Sequence, residues 1–297
     1  MELKGIYPIV PTPFDSDGKV DLGSIERLVQ YLMDRKVHGV AVLGALGEGQ
    51  KLNGEERSSV IRHYRKLLPS DCGLVVGVRA PATELAKSMA TQARDLGADA
   101  LLLGPHNVQK DQALLGYYLQ VDETVDIPLV IHDYPAVTGI TMSIELIAKM
   151  YEQGKNLNYL KLEDPPTGAK MQALAKLAGP DLKVFGALGG MYALEELELG
   201  AVGIMTGFVF AGLLVELYGL VQSGKMDKAA ELFYDFVPLN RWEFQPGIGI
   251  SLRKEIFKRL GVFKTAVVRH PGAEAGEECV RQMWRMIEHL RAKGYQL

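Results

Sequence analysis

Eight short apolar runs, each followed by an amphipathic stretch, constrain this chain more than any other feature. They occupy residues 5–11, 39–44, 73–78, 98–104, 127–131, 157–162, 182–185 and 201–206 and recur about every 28 residues, the length of one strand–helix unit. Such alternation predicts a parallel sheet with crossover helices, and eight units favour closure into a (β/α)8 TIM barrel. The competing fold is a doubly wound open sheet, which usually carries a GxGxxG or P-loop signature after its first strand. This chain has PTPFDSDGKVD there instead. The barrel is expected over residues 1–222, with 223–297 a C-terminal helical extension packed on it and not an independent domain.

Helical periodicity is visible at 22–35, 83–96, 111–124, 143–153 and 167–177, and Asn53 with Glu56 three positions later reads as a capping box. After the eighth run, 213–221, 225–237 and 278–293 read as helices with no strand between them. Tyr117, Tyr118, Phe233 and Phe236 fall at helical spacing and read as packing residues.

Composition excludes several partners. The 33 Lys+Arg against 36 Asp+Glu give a formal charge of −3, so no general cationic field awaits a nucleic acid. No stretch of apolar residues is long enough for a membrane helix. The N-terminal segment lacks the pattern of a secretory signal, and two cysteines, Cys72 and Cys279, make neither a disulfide framework nor a CxxC zinc site. A cytoplasmic protein is the expectation.

Barrel enzymes place their chemistry at the C-terminal ends of the strands. In the sixth run, Leu160 and Leu162 share one face while Lys161 and Glu163 share the other. The leucines suit the helix-covered outside, which turns Lys161 into the barrel. A desolvated lysine favours its neutral amine and becomes a nucleophile toward a carbonyl. The other reading has Lys161 snorkelling to the barrel mouth and pairing with Glu163 or Asp164. Gly44, Ala45 and Leu46 open the turn GALGEG after the second run, where successive N–H groups suit a carboxylate; an ordinary strand-to-helix turn is the alternative. His132 ends the fifth run and is either an acid–base group or a core histidine. Tyr134 shares its face if the strand stays extended through it. His106 and Asn107 offer polar groups after the fourth run with no spacing that fixes a role.

Taken in order, PTPFDSDGKVD, GALGEGQKLNGEER, HDYPAVTG, LKLED and GAVGIMTG resemble the dihydrodipicolinate synthase/N-acetylneuraminate lyase family of Schiff-base-forming, pyruvate-type aldolases over about residues 5–271. The resemblance implies that Lys161 forms the imine with a 2-oxo acid. It implies that the Gly44–Ala45–Leu46 turn holds the substrate carboxylate, that Gly186 and Met205 lie beside it, and that the chain assembles as a homo-oligomer, dimer or tetramer. It also exposes departures. Ala45 and Leu46 replace the family's two threonines, His132 stands where its tyrosine does, Val137 stands at its arginine, and His106 and Asn107 replace a tyrosine pair. These argue against authentic dihydrodipicolinate synthase activity.

The expected function is therefore a lyase or aldolase that cleaves or forms a C–C bond in a 2-oxo acid, or dehydrates a keto-deoxy sugar acid. Lys161 is the nucleophile, with His132 and then Tyr134 as proton carriers, and no metal or organic cofactor is called for. Two other readings stand beside it: an inert barrel that binds a 2-oxo acid as sensor or scaffold, and a metal-dependent enolate-forming aldolase built on Glu48, His132, Asp133 and Glu163.

Overall fold

A computed structural model describes residues 2–106 and 110–297. Eight parallel strands form the sheet: β1 (Gly5–Ile6), β2 (Gly39–Val42), β3 (Gly73–Arg79), β4 (Ala100–Gly104), β5 (Leu129–Asp133), β6 (Tyr159–Leu162), β7 (Lys183–Gly186) and β8 (Gly203–Ile204). Neighbours pair in the order β1-β8-β7-β6-β5-β4-β3-β2. The remaining seam, between β1 and β2, is closed by a parallel bridge from Ile9 to Ala41, with Ala41 N–H donating to Pro8 O at 2.9 Å and Val10 N–H to Ala41 O at 3.0 Å. The result is the expected (β/α)8 TIM barrel.

The strand alternation sorts the core into two layers. Tyr7, Ile9, Val75, Leu102, Val130, Tyr159, Phe185 and Met205 fill the inside of the barrel. Val40, Val42, Leu74, Val76, Leu101, Leu103, Leu160 and Leu162 pack outward against the helices. Inside, Phe185 meets Tyr7 edge-on at 5.5 Å and Tyr159 at 6.2 Å, a plug of rings on the same face of β6 as Lys161.

Helices α1 (Leu22–Asp34), α2 (Gly54–Leu67), α3 (Thr83–Asp95), α4 (Asp111–Asp122), α5 (Pro135–Thr138), α6 (Ile144–Gln153), α7 (Thr167–Ala178) and α8 (Ala193–Glu198) lie between the strands. The capping box at the start of α2 is present, with Asn53 accepting from Glu56 N–H and Glu56 accepting from Asn53 N–H. After β8 come α9 (Ala211–Gln222), α10 (Met226–Glu243), α11 (Gly249–Arg259) and α12 (Glu277–Ala292). Sequence periodicity anticipates three of these four and omits α11. The reason is chemical: Arg253 and Lys254 are buried in α11 where an apolar stripe would continue, and they are neutralised by Glu243 and Glu48 from elsewhere in the chain. Tyr117, Tyr118, Phe233 and Phe236 are buried, as expected of packing residues.

Candidate active site

The register between β5 and β6 places His132 beside Lys161. Lys161 is 3% exposed and points inward, because Leu160 and Leu162 on either side of it join the outer apolar layer. Its Nζ lies 3.4 Å from His132 Nε2, and the same Nε2 is 3.0 Å from Glu163 Oε1. Glu163 also pairs with Lys161. The lysine is held inside the barrel and does not snorkel out to solvent, while its ionic partner is Glu163, one of the two acids that the snorkelling reading named. Glu163 is carried there by a ladder bond from its N–H to Asp133 O at 2.8 Å, which extends the alternation one residue past β6. Tyr134 closes the cluster, its ring 5.7 Å from Lys161 Nζ and 5.7 Å from the His132 ring.

Electrostatics favour neutral bases here. Burial pushes the Lys161 amine down to about 7, opposed by the Glu196 carboxylate; the Glu163 carboxylate against it also favours the charged form. Burial, then the charges of Lys161 and Arg79, hold His132 well below the usual histidine range. Glu196, behind the barrel wall, is raised to about 7 by burial.

The glycine turn is folded tightly around Leu43, which is left-handed at φ 59°. A Cβ on Gly49 or Gly77 would stand 2.1 or 2.5 Å from the Leu43 carbonyl oxygen, so the backbone closes only because both are glycine. Thr12 Oγ1 donates to Gly47 O at 2.6 Å. The Ala45 and Leu46 N–H groups donate to none of the described residues, which leaves two adjacent amide donors at the barrel mouth. The turn is anchored from a distance by Glu48, which binds Lys254 at 2.6 Å and Lys51 at 2.8 Å and accepts from Arg269 N–H at 3.0 Å.

Gly186 and Met205 are adjacent across the sheet, joined by a 2.9 Å bond from Met205 N–H to Gly186 O. Met205 is in the barrel interior. Gly186 has a different steric reason to be glycine: a Cβ there would lie 2.2 Å from Glu196 Oε2, on the outer side of β7. His106 is half-buried beside Pro105, and Asn107 lies outside the described residues. The four oxygen and nitrogen donors of the metal reading do not converge, because Asp133 faces outward to Lys170 at 2.6 Å and Glu48 is committed to Lys254 and Lys51.

Arg79 and Lys254 were not anticipated from sequence. The apolar run of the third strand stops at Val78, whereas the β3 ladder continues to Arg79 opposite Gly104. Arg79 lines a pocket at the mouth with Gly44, Ala45, Gln50, His132 and Thr138.

Comparison with known proteins finds relatives over nearly the whole chain. The model of the dihydrodipicolinate synthetase family matches residues 2–290. An L-2-keto-3-deoxyarabonate dehydratase from Azospirillum brasilense is 26% identical, covering 91% of this chain and 89% of its own. A 4-hydroxy-tetrahydrodipicolinate synthase from Methanothrix thermoacetophila is 30% identical over 87% of this chain and 88% of its own. The crystal structure of dihydrodipicolinate synthase from Rhodopseudomonas palustris superposes with a TM-score of 0.91 at 31% identity, covering 96% of this chain and 97% of that one.

Proposed function

This chain belongs to the dihydrodipicolinate synthetase family, and with it to the lyases of class I aldolase type, and on that premise we propose that it dehydrates a 2-keto-3-deoxy sugar acid through a Schiff base on Lys161. The observation that carries the reading is the shared Nε2 of His132, 3.4 Å from the lysine amine and 3.0 Å from Glu163. An acid–base pair so close to the amine stands beside the carbon next to the imine, where a proton must be removed.

In this account the neutral Lys161 amine attacks C2 of the substrate and a molecule of water leaves, giving an iminium that acts as electron sink. The Ala45 and Leu46 N–H groups hold the C1 carboxylate and fix the orientation of the attack. His132, neutral because burial depresses its pKa, takes a proton from C3, with Glu163 orienting and stabilising the imidazolium. The enamine pair then expels the C4 hydroxyl, which leaves as water with the proton returned by His132. Hydrolysis of the conjugated iminium frees the lysine and an unsaturated 2-oxo acid, for a net loss of one water. No step needs a metal or an organic cofactor.

The similarity to a keto-deoxyarabonate dehydratase supports elimination. The replacement of the family's mouth arginine by Val137 and of its threonines by Ala45 and Leu46 speaks against dihydrodipicolinate synthase activity. Assembly as a homo-oligomer, dimer or tetramer, is part of this proposal, and sedimentation at the mass of a single chain would refute that part. The reaction is tested by NMR in deuterated water with 2-keto-3-deoxy pentonates and hexonates. Dehydration gives an unsaturated 2-oxo acid that has lost one C3 hydrogen; release of an aldehyde and of pyruvate carrying solvent deuterium at C3 assigns retro-aldol cleavage instead, and no turnover on any member of the series refutes the proposal.

A further inference from the structure

Arg79 is a cation at the mouth that the mechanism leaves unused. The half-buried Arg79 guanidinium donates Nε to Pro105 O and Nη2 to Val137 O, each at 3.1 Å. Both partners are neutral carbonyls. Lys161 faces Glu163, Lys170 faces Asp133, Arg253 faces Glu243 and Lys254 faces Glu48. Arg57, buried behind the glycine turn, bonds the Gly49 and Gly77 carbonyls as Arg79 bonds its own, but of the two only Arg79 lines the pocket at the mouth. Arg79 forms no ion pair with any described residue, and the residues outside the description, Met1 and 107–109, include no acid. A partly desolvated guanidinium without a counter-charge is a cost that an anionic ligand offsets, and burial accordingly lowers its pKa.

Its position says which part of a substrate it meets. A Cβ on Gly104 would lie 3.8 Å from Arg79 Cδ and 3.5 Å from His132 Nδ1, so arginine and imidazole flank the same glycine. The other imidazole nitrogen faces Lys161. Lysine, histidine and arginine thus follow one another across β6, β5 and β3. The bonds to Pro105 and Val137 draw the guanidinium toward the loops after β4 and β5, in the pocket that it shares with Gly44 and Ala45 after β2. A substrate with its C1 carboxylate on those amides and C2 on Lys161 extends its remaining carbons past His132 toward Arg79. We propose that Arg79 determines specificity at this site by selecting 2-oxo acids with a second anionic group, carboxylate or phosphate ester, at the end remote from the keto carbon. The guanidinium fork matches either anion. The direction of the bound substrate rests on the Schiff-base reading above.

The test compares ligands equal in length but unequal in charge. Half-saturation of the protein by 2-oxoadipate and by 2-oxohexanoate is read from thermal shift, which needs no imine, and from borohydride trapping. A 6-phosphorylated 2-keto-3-deoxyhexonate and its unphosphorylated counterpart form the second pair. The wild type should prefer the charged member of one pair by about tenfold or more, the value of one charge-assisted contact, and the pair that shows it identifies the anion. Arg79→Met, folded by circular dichroism, should bring that ratio close to one, with Arg79→Lys between. A ratio near one for both pairs in the wild type, or a preference that survives in Arg79→Met, overturns the assignment. Anion preference without a Lys161 adduct refutes the Schiff base and leaves Arg79 standing, whereas an adduct without preference does the reverse.

Discussion

Burial of Lys161 sets a specific pH profile for imine formation. With its pKa near 7, about one tenth of the amine is neutral at pH 6, about half at pH 7 and about nine tenths at pH 8. Capture of the imine should therefore rise roughly tenfold between pH 6 and 8 and then level off. A lysine at its ordinary value would be neutral in only about three molecules per thousand at pH 8 and would keep gaining tenfold per unit. The assay is cyanoborohydride trapping with pyruvate at limiting concentration, followed by intact mass and normalised to a free amine reduced in parallel. Glu196 supplies an internal control, because its carboxylate favours the charged amine; Glu196→Gln should move the midpoint to lower pH. A capture rate that climbs tenfold per unit through pH 9 without a break would refute the reasoning that burial makes this amine reactive.

Glu163→Gln removes the charge that orients His132 and should lower turnover by about 10²- to 10⁴-fold, as expected for loss of acid–base assistance. Trapping at Lys161 should persist in that variant, and its loss would show that Glu163 acts earlier, on the amine. Lys254→Met leaves Glu48 buried with Lys51 as its remaining cation, so urea unfolding should report a loss of about 3 kcal/mol, the lower end for breaking a buried pair; a change below about 0.5 kcal/mol, the scale of an ordinary surface substitution, would contradict the anchoring role. Gly186→Ala drives a methyl group into the space of the Glu196 carboxylate, 2.2 Å away. A destabilisation of about 1–3 kcal/mol is expected from such overpacking, and a neutral result would mean that Glu196 is free to turn aside.

The barrel was legible because strand alternation and strand–helix alternation are local signals. Leu160 and Leu162 alone turn Lys161 inward, and the same parity puts Glu163 on its face. The nearness of His132 to that pair depends on the register of β5 against β6, a long-range property that no single segment encodes. Helix α11 escaped periodicity because its buried Arg253 and Lys254 look like surface residues until Glu243 and Glu48 are brought to them. Arg79 escaped for a related reason. Apolar content stops at Val78, but the ladder hydrogen-bonds through the next residue regardless of its side chain, and that residue is the one that reaches the mouth.

Borohydride reduction in the presence of pyruvate, followed by peptide mapping, tests the central claim most directly. The account predicts a single stable adduct, on Lys161, abolished in Lys161→Ala. An adduct on any other lysine, or none under conditions where the protein is folded, would contradict it.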